Sequence, residues 1–308
     1  MRKTTAALLS LLAIAGCSRL DAAAPAVHLD MRNVDLHLTN DIQLQVHRLA
    51  GSMAGNRPGR PINLDDTTSY RIDVSSGEVA IDLASLNAVV SRALGDGKSN
   101  VHHVRLAIED GTLRQKGTID KAIDIPFNAK GAVGVTADGN IRIHTESVKG
   151  YGVPVKPLMK IFGVEMDNLL RVQPGNGITV ENNDLILDPS HLMPPPVMNG
   201  RITSVRVEGQ SLVQVLGGGN APSPKPPPIG PNHILWRGGQ ISFGKLTMTE
   251  SDLEIVDEDP ADPLDFSVDG WNRQLTAGYS KVTPARGLQA HVPDFNDLGR
   301  RASAAAHR

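Results

Sequence analysis

The chain has 308 residues and a formal net charge of −2 at pH 7, with 31 Lys and Arg against 33 Asp and Glu. This balance argues against nucleic-acid binding, because phosphate recognition needs clustered positive charge. Cys17 is the only cysteine, which excludes an intramolecular disulfide and a multi-cysteine metal site.

The first residues have the pattern of an export signal. Two basic residues precede an apolar stretch of about ten residues, which is too short to span a bilayer. The run Ile14-Ala15-Gly16-Cys17 resembles the lipobox of bacterial lipoproteins. The resemblance implies that residues 1–16 are a cleaved signal peptide, that Cys17 carries the lipid, and that Ser18 directs the protein to the outer membrane. An ordinary secretory peptide with a chance cysteine is the alternative.

Residues 17–26 are small and weakly patterned, which is typical of a tether. Apolar residues alternate with polar ones over 27–38, and the phase shifts once near Asn33, so we expect a long strand with a bulge. The alternation continues over 42–46 and, after a proline-containing loop, over 70–74. These segments predict one face of a sheet that is mainly aliphatic.

Two amphipathic helices are expected. The first covers 82–94, with Asp82 as its N-cap and Gly95 at its C-terminal end. The second covers 157–170 and begins at Pro157. Three turn dipeptides, Asp110-Gly111, Asp138-Gly139 and Asn182-Asn183, lie between alternating segments and predict hairpins.

The predicted fold class is therefore α+β. We expect a long, curved antiparallel meander sheet packed on the two helices, within a body at 27–216. A proline- and glycine-rich linker follows at 217–232. Six of the ten aromatic residues lie after the linker, so residues 233–295 are expected to form a small β-rich C-terminal module, and 296–308 a disordered tail.

The chain lacks the short motifs of common catalytic and cofactor sites. The segment Gly95–Ser99 resembles the end of a phosphate loop, but the glycine that such a loop needs five residues before Gly97 is Arg92. His102 and His103 would point to opposite faces of a strand and cannot share a metal. Five carboxylates at 257–265 suit a solvated loop better than a calcium site, since the EF-hand spacing fails. We predict no enzyme activity and no cofactor, although a hydrolase site assembled only by folding stays open.

The remaining feature is the aliphatic face, which can either close into a dry core or leave a groove for acyl chains. Four methionines, Met159, Met166, Met193 and Met198, favour an adaptable apolar lining. The order of elements over about 70–216, including GAVGVTADGNIRIHTESVKGYGVPVKPLMKIFG at 131–163 and GITVENNDLILDP at 177–189, resembles LmeA-like lipid-binding proteins and, more remotely, tubular lipid-binding proteins. That resemblance implies a curved sheet that wraps around a helix, and it implies lipid binding. It does not identify any functional residue in this sequence.

Two functions are therefore expected. The first is a non-catalytic outer-membrane lipoprotein, facing the periplasm or the cell surface, that binds a lipid or another apolar ligand in a sheet-and-helix groove. Residues in the middle of the two helix faces are predicted to line that groove: Leu86, Val90, Leu158 and Phe162. The alternative is a structural lipoprotein that holds an envelope protein partner at the membrane through strand edges and its C-terminal module.

Overall fold

The computed structural model describes residues 26–57, 59–95, 99–120, 124–150, 175–182, 184–217, 228, 230–285 and 287–299. The described residues form 18 strands in two sheets, with three α-helices and one 3₁₀ turn. The sheet-dominated α+β class is thereby confirmed. Cys17, the expected second helix at 157–170 with Leu158 and Phe162, and most of the proline-rich linker lie outside the described residues.

The chain first builds half of a large sheet, then a small sheet, and then returns to the large one. The opening strands of the large sheet are β1 Val27–Thr39, β2 Ile42–Gly55, β3 Ile62–Asn63 and β4 Tyr70–Asp82, and helix α1 Leu83–Leu94 follows them. The small sheet comprises β5 Val101–Glu109, β6 Thr112–Asp120, β7 Asp124–Val135, β8 Ile141–Gly150, β9 Ile178–Glu181 and β10 Asp184–Leu187.

The rest of the chain completes the large sheet. Helix α2 Pro189–Leu192 leads into β11 Val197–Asn199, β12 Ile202–Glu208, β13 Ser211–Gly217, β14 His233–Phe243, β15 Leu246–Asp257 and β16 Leu264–Ser267. Helix α3 Trp271–Ala277, β17 Tyr279–Val282, β18 Leu288–Val292 and the 3₁₀ turn Phe295–Asp297 complete the described fold. Leu298, which we expected in a disordered tail, is buried.

The large sheet has the order β12-β13-β4-β2-β1-β14-β15-β18-β17. Strand β14 pairs with β1 in antiparallel register, so the C-terminal strands extend the same sheet as the body. The expected separate packing of 233–295 is therefore wrong, because the free edge of β1 needs hydrogen-bond partners and the C-terminal strands supply them. The sheet is also not a pure meander, since β3, β11 and β16 join it in parallel.

The phase shift predicted in β1 lies at Asn33. The buried positions change from 27, 29 and 31 to 34, 36 and 38, and Asn33 has a φ of 51°, a conformation that Asn tolerates better than most residues. Residues before Asn33 pair with β14, and those after it pair with β16. The Asn33 side chain donates a hydrogen bond of 2.8 Å to Asn232 just before β14. The shift therefore marks the point where β1 exchanges one neighbour for another.

Helix α1 confirms the predicted first helix and links the two sheets. Asp82 caps it, because its carboxylate accepts a 2.7 Å hydrogen bond from the N–H of Ser85. The Asn87 side chain donates to the carbonyl of Leu106 on β5 and accepts from the Leu106 N–H. None of the described helices is long and apolar enough to span a membrane.

Candidate functional site

The two predicted lining residues on α1 are buried. Leu86 and Val90 are 6% and 8% exposed. Val90 faces a cavity of about 70 Å³ between α1 and the small sheet, which Phe127 and Ile143 also line. Leu158 and Phe162 lie outside the described residues, so the grouping of the four predicted residues stays a prediction.

A larger cavity, of about 230 Å³, lies on the inner face of the large sheet. Strands β1, β2, β4 and β13 form its floor, because their alternating aliphatic residues all face the same side. The aliphatic floor includes Leu36, Leu44, Val46, Val79 and Leu216. Met193, after helix α2, and Met198 of β11 cover it; they are two of the four methionines expected from the sequence to suit an adaptable lining, and Met159 and Met166 lie outside the described residues.

The turn between β7 and β8 brings the small sheet to the edge of this cavity. The N–H of Ile202 donates to the carbonyl of Gly139 at 3.1 Å, and the Arg201 guanidinium donates to the carbonyl of Ala137 at 2.6 Å. Gly139 has a φ of 86°, and an added Cβ would lie 2.6 Å from Arg201 Cγ. This close junction places Asn140 in the cavity wall.

Few polar side chains line the cavity. Gln214 faces it from β13, on the same side of the strand as Leu216. The side-chain amides of Asn140 and Gln214 have no hydrogen-bond partner among the described residues. Asn199, also in the lining, donates to Asp73 at 3.0 Å.

Asp188 is the one ionisable residue among the described residues that line the cavity. Burial raises its pKa, but hydrogen bonds from Ser190 and His191 outweigh that effect and hold the pKa below its usual value. One carboxylate oxygen accepts from the N–H and hydroxyl of Ser190 at 3.0 and 2.6 Å, and the other lies 2.8 Å from His191 Nδ1. Asp188 is therefore an ionised helix cap with partners at both oxygens.

A second apolar space, of about 70 Å³, adjoins the large cavity, and both are lined by Met31, Leu36 and Ile72. Aromatic residues from the C-terminal strands and α3 dominate its other side. The Phe243 and Trp271 rings pack edge to face at 5.8 Å. The inner face of the sheet therefore carries an apolar surface that continues from an aliphatic to an aromatic end.

Two of the five carboxylates at 257–265 contact other side chains, whereas residues 259–262 are exposed. Asp257 accepts a 2.9 Å hydrogen bond from Asn232, and Asp265 lies 2.5 Å from His37 Nε2. Burial raises the pKa of nearby Asp294 to about 6, and neighbouring carboxylates contribute to the rise. Among the described residues, no three His, Cys, Asp or Glu side chains are placed to hold a metal ion.

No protein-family model matches the chain, and no curated protein or solved structure matches it. The resemblance of 70–216 to LmeA-like proteins therefore stays a prediction.

The polar residues of the cavity were missed in the sequence. Gln214 interrupts an apolar strand, which is the type of local conflict that often marks a functional site. Its neighbours Val213 and Val215 are also apolar, so the sequence alone does not show which side of β13 faces inward. The sequence therefore shows a polar residue in an apolar strand, but it does not show that the side chain of Gln214 faces the cavity.

Proposed function

We propose that the protein is a non-catalytic, membrane-anchored lipoprotein that binds a lipid or another apolar ligand on the inner face of its large sheet. The cavity of about 230 Å³ carries this proposal. Ligand pockets are typically concave and apolar with a few polar groups, and this cavity has that composition. An aliphatic floor and a methionine cover can adapt to flexible chains.

The lining of the cavity supports an occupant. The cavity is partly open and its lining is mainly apolar, so a bound apolar ligand would remove that apolar surface from contact with water.

The lipobox at Ile14-Ala15-Gly16-Cys17 supports the anchor. Two or three acyl chains on Cys17 would hold the protein at the outer membrane without any membrane-binding surface on the body. The aliphatic face of the sheet is then free to serve a ligand.

Lipid analysis of the full-length protein, purified from a bacterial host, tests this function. We expect non-covalent lipid to be extracted with organic solvent and identified by mass spectrometry. Val79→Phe places an aromatic ring in the cavity and should lower the amount of lipid per protein. Arg71→Phe adds the same ring at an exposed position of β4 and should leave it unchanged. Lipid-free wild-type protein, or equal lipid in Val79→Phe and wild type, would contradict the proposal.

One observation favours the alternative of a structural lipoprotein that holds a protein partner. Strand β17 is the last strand of the large sheet, and its four residues are exposed, with Val282 75% exposed. An exposed edge strand can pair with a strand of another protein. Crosslinking in membranes separates the two functions: a stoichiometric protein partner without bound lipid favours this one.

A further inference from the structure

The polar groups in the cavity restrict the kind of ligand that fits it. Gln214 lies in the middle of an otherwise aliphatic face, opposite Val79 on β4. The Gln214 side chain is half-buried, and its amide has no hydrogen-bond partner among the described residues. The amide is therefore free to form a hydrogen bond with a polar group of a ligand in the cavity.

Asn140 presents a second amide to the same space. Its backbone is fixed by the β7–β8 turn, because its N–H donates to Thr136 Oγ1 at 3.0 Å and its carbonyl accepts from the Thr136 N–H at 2.9 Å. The side chain makes no hydrogen bond to a described residue. Each amide offers both a donor and an acceptor, which suits a hydroxyl or an ester carbonyl.

The charges around the cavity disfavour an ionised head group. The described lining contains no Lys or Arg, and its one carboxylate, Asp188, has hydrogen-bonding partners at both oxygens. A fatty-acid carboxylate or a phosphate would lose its hydration here without gaining a cation. A cationic head group would have to displace Ser190 or His191 from Asp188.

The volume limits how much of an acyl chain the cavity can enclose. A dry cavity of about 150 Å³ holds the six carbons of benzene, so about 230 Å³ corresponds to about nine carbons. The adjoining space of about 70 Å³ adds about three more on the same scale.

We infer that the cavity takes an uncharged, single-chain amphiphile with about eight to twelve carbons and a hydroxyl or ester head group, such as a medium-chain monoglyceride. The inference rests on the proposed function and specifies its ligand. Gln214 and Asn140 bind the head group, and the floor of the large sheet takes the chain.

Calorimetric titration of the delipidated, full-length protein with four ten-carbon probes tests the inference. The probes are 1-decanoylglycerol, decanoate, decyl phosphate and decyltrimethylammonium, each below its micelle concentration. We expect 1-decanoylglycerol to bind at least tenfold more tightly than the three charged probes. We also expect it to bind more tightly than 1-palmitoylglycerol, whose chain exceeds the available length.

Two matched variants locate the binding site. Gln214→Leu removes the amide and should weaken 1-decanoylglycerol binding about fivefold, the effect of one hydrogen bond worth about 1 kcal/mol. Gln115→Leu makes the same change in the cavity beside α1, where Gln115 Nε2 is buried without a hydrogen-bond partner among the described residues, and should have no effect on binding.

The outcomes separate the inference from the proposed function. If none of the probes binds, the lipid-binding function itself fails. If decanoate, decyl phosphate or decyltrimethylammonium binds as tightly as 1-decanoylglycerol, lipid binding stands but the uncharged head group is wrong. If 1-palmitoylglycerol binds more tightly than 1-decanoylglycerol, the inferred chain length of about eight to twelve carbons is wrong. Equal effects of Gln214→Leu and Gln115→Leu would place the head group elsewhere.

Discussion

Filling the large cavity should stabilise the delipidated protein. Val79 is 6% exposed and lies on the cavity floor. Phenylalanine is about 50 Å³ larger than valine, and the additional apolar side chain buried in the partly open cavity gives about 1 kcal/mol. We therefore expect Val79→Phe to raise the free energy of unfolding by about 1 kcal/mol.

Urea denaturation of delipidated protein measures this change. With a slope of about 3 kcal/mol/M, the midpoint should rise by about 0.3 M while the slope stays the same. Val34→Phe is the control, because Val34 is 1% exposed and packs tightly between β2 and β16. Overpacking there should cost about 1–3 kcal/mol. If Val79→Phe destabilises the protein as much as Val34→Phe does, the floor of the large sheet is already filled in solution and the cavity argument is refuted.

Two further predictions concern stability. Because burial raises the folded-state pKa of Asp294 to about 6, its contribution to the free energy of unfolding is full below about pH 4 and is lost as the pH rises through 6. Asp294→Asn keeps the acceptor for the Asp265 N–H but cannot ionise. At pH 8 its free energy of unfolding should therefore exceed that of wild type by about 1 kcal/mol, after allowance for solvent screening. At pH 4 the two free energies should be equal. Thermal melts across this range check it, and a constant difference would contradict it. Asn87→Ala removes both hydrogen bonds between Asn87 and the backbone of Leu106, so it should lower the free energy of unfolding measured by urea denaturation by about 2–3 kcal/mol. A decrease below about 0.5 kcal/mol would show that the position of α1 does not depend on Asn87.

The elements that sequence predicts well are those whose signals are local. Helix α1 is found where Asp82 and Gly95 place it. The Asp110-Gly111 turn has φ values of 52° and 68°, as a two-residue hairpin turn requires. The predicted phase shift at Asn33 is also found, because the order of apolar and polar residues on either side of Asn33 shows the change of buried face.

The pairing of distant strands could not be predicted in this way. An alternating pattern shows which face of a strand is buried, but it does not show which strand lies at each edge. The proline-rich segment at 217–232 suggested a boundary between two modules, whereas β14 returns to pair with β1. The pairing depends on edges about 200 residues apart, which no local pattern encodes.

The candidate site shows the same limit. The apolar stripe of a helix is visible in sequence and predicts Leu86 and Val90 as lining residues. The structure buries both, and Val90 lines the smaller cavity beside the small sheet rather than the larger one. The larger cavity needs four strands for its floor and α2 with β11 for its cover. The alternation over 27–38, 42–46 and 70–74 predicts the aliphatic floor, and Met193 and Met198 are predictable because methionine suits an adaptable lining, but no local pattern shows that these segments enclose one cavity.

The change of neighbours at Asn33 has a consequence for how the chain is made. Strand β1 can pair with β2 soon after synthesis, but its other edge waits for β14 and β16, roughly 200 residues later. At about 5–20 residues per second, that delay is about 10–40 s, during which the edge can pair wrongly. A chain shortened before His233 would keep this edge open permanently. The last quarter of the protein is therefore required to complete the fold of the first.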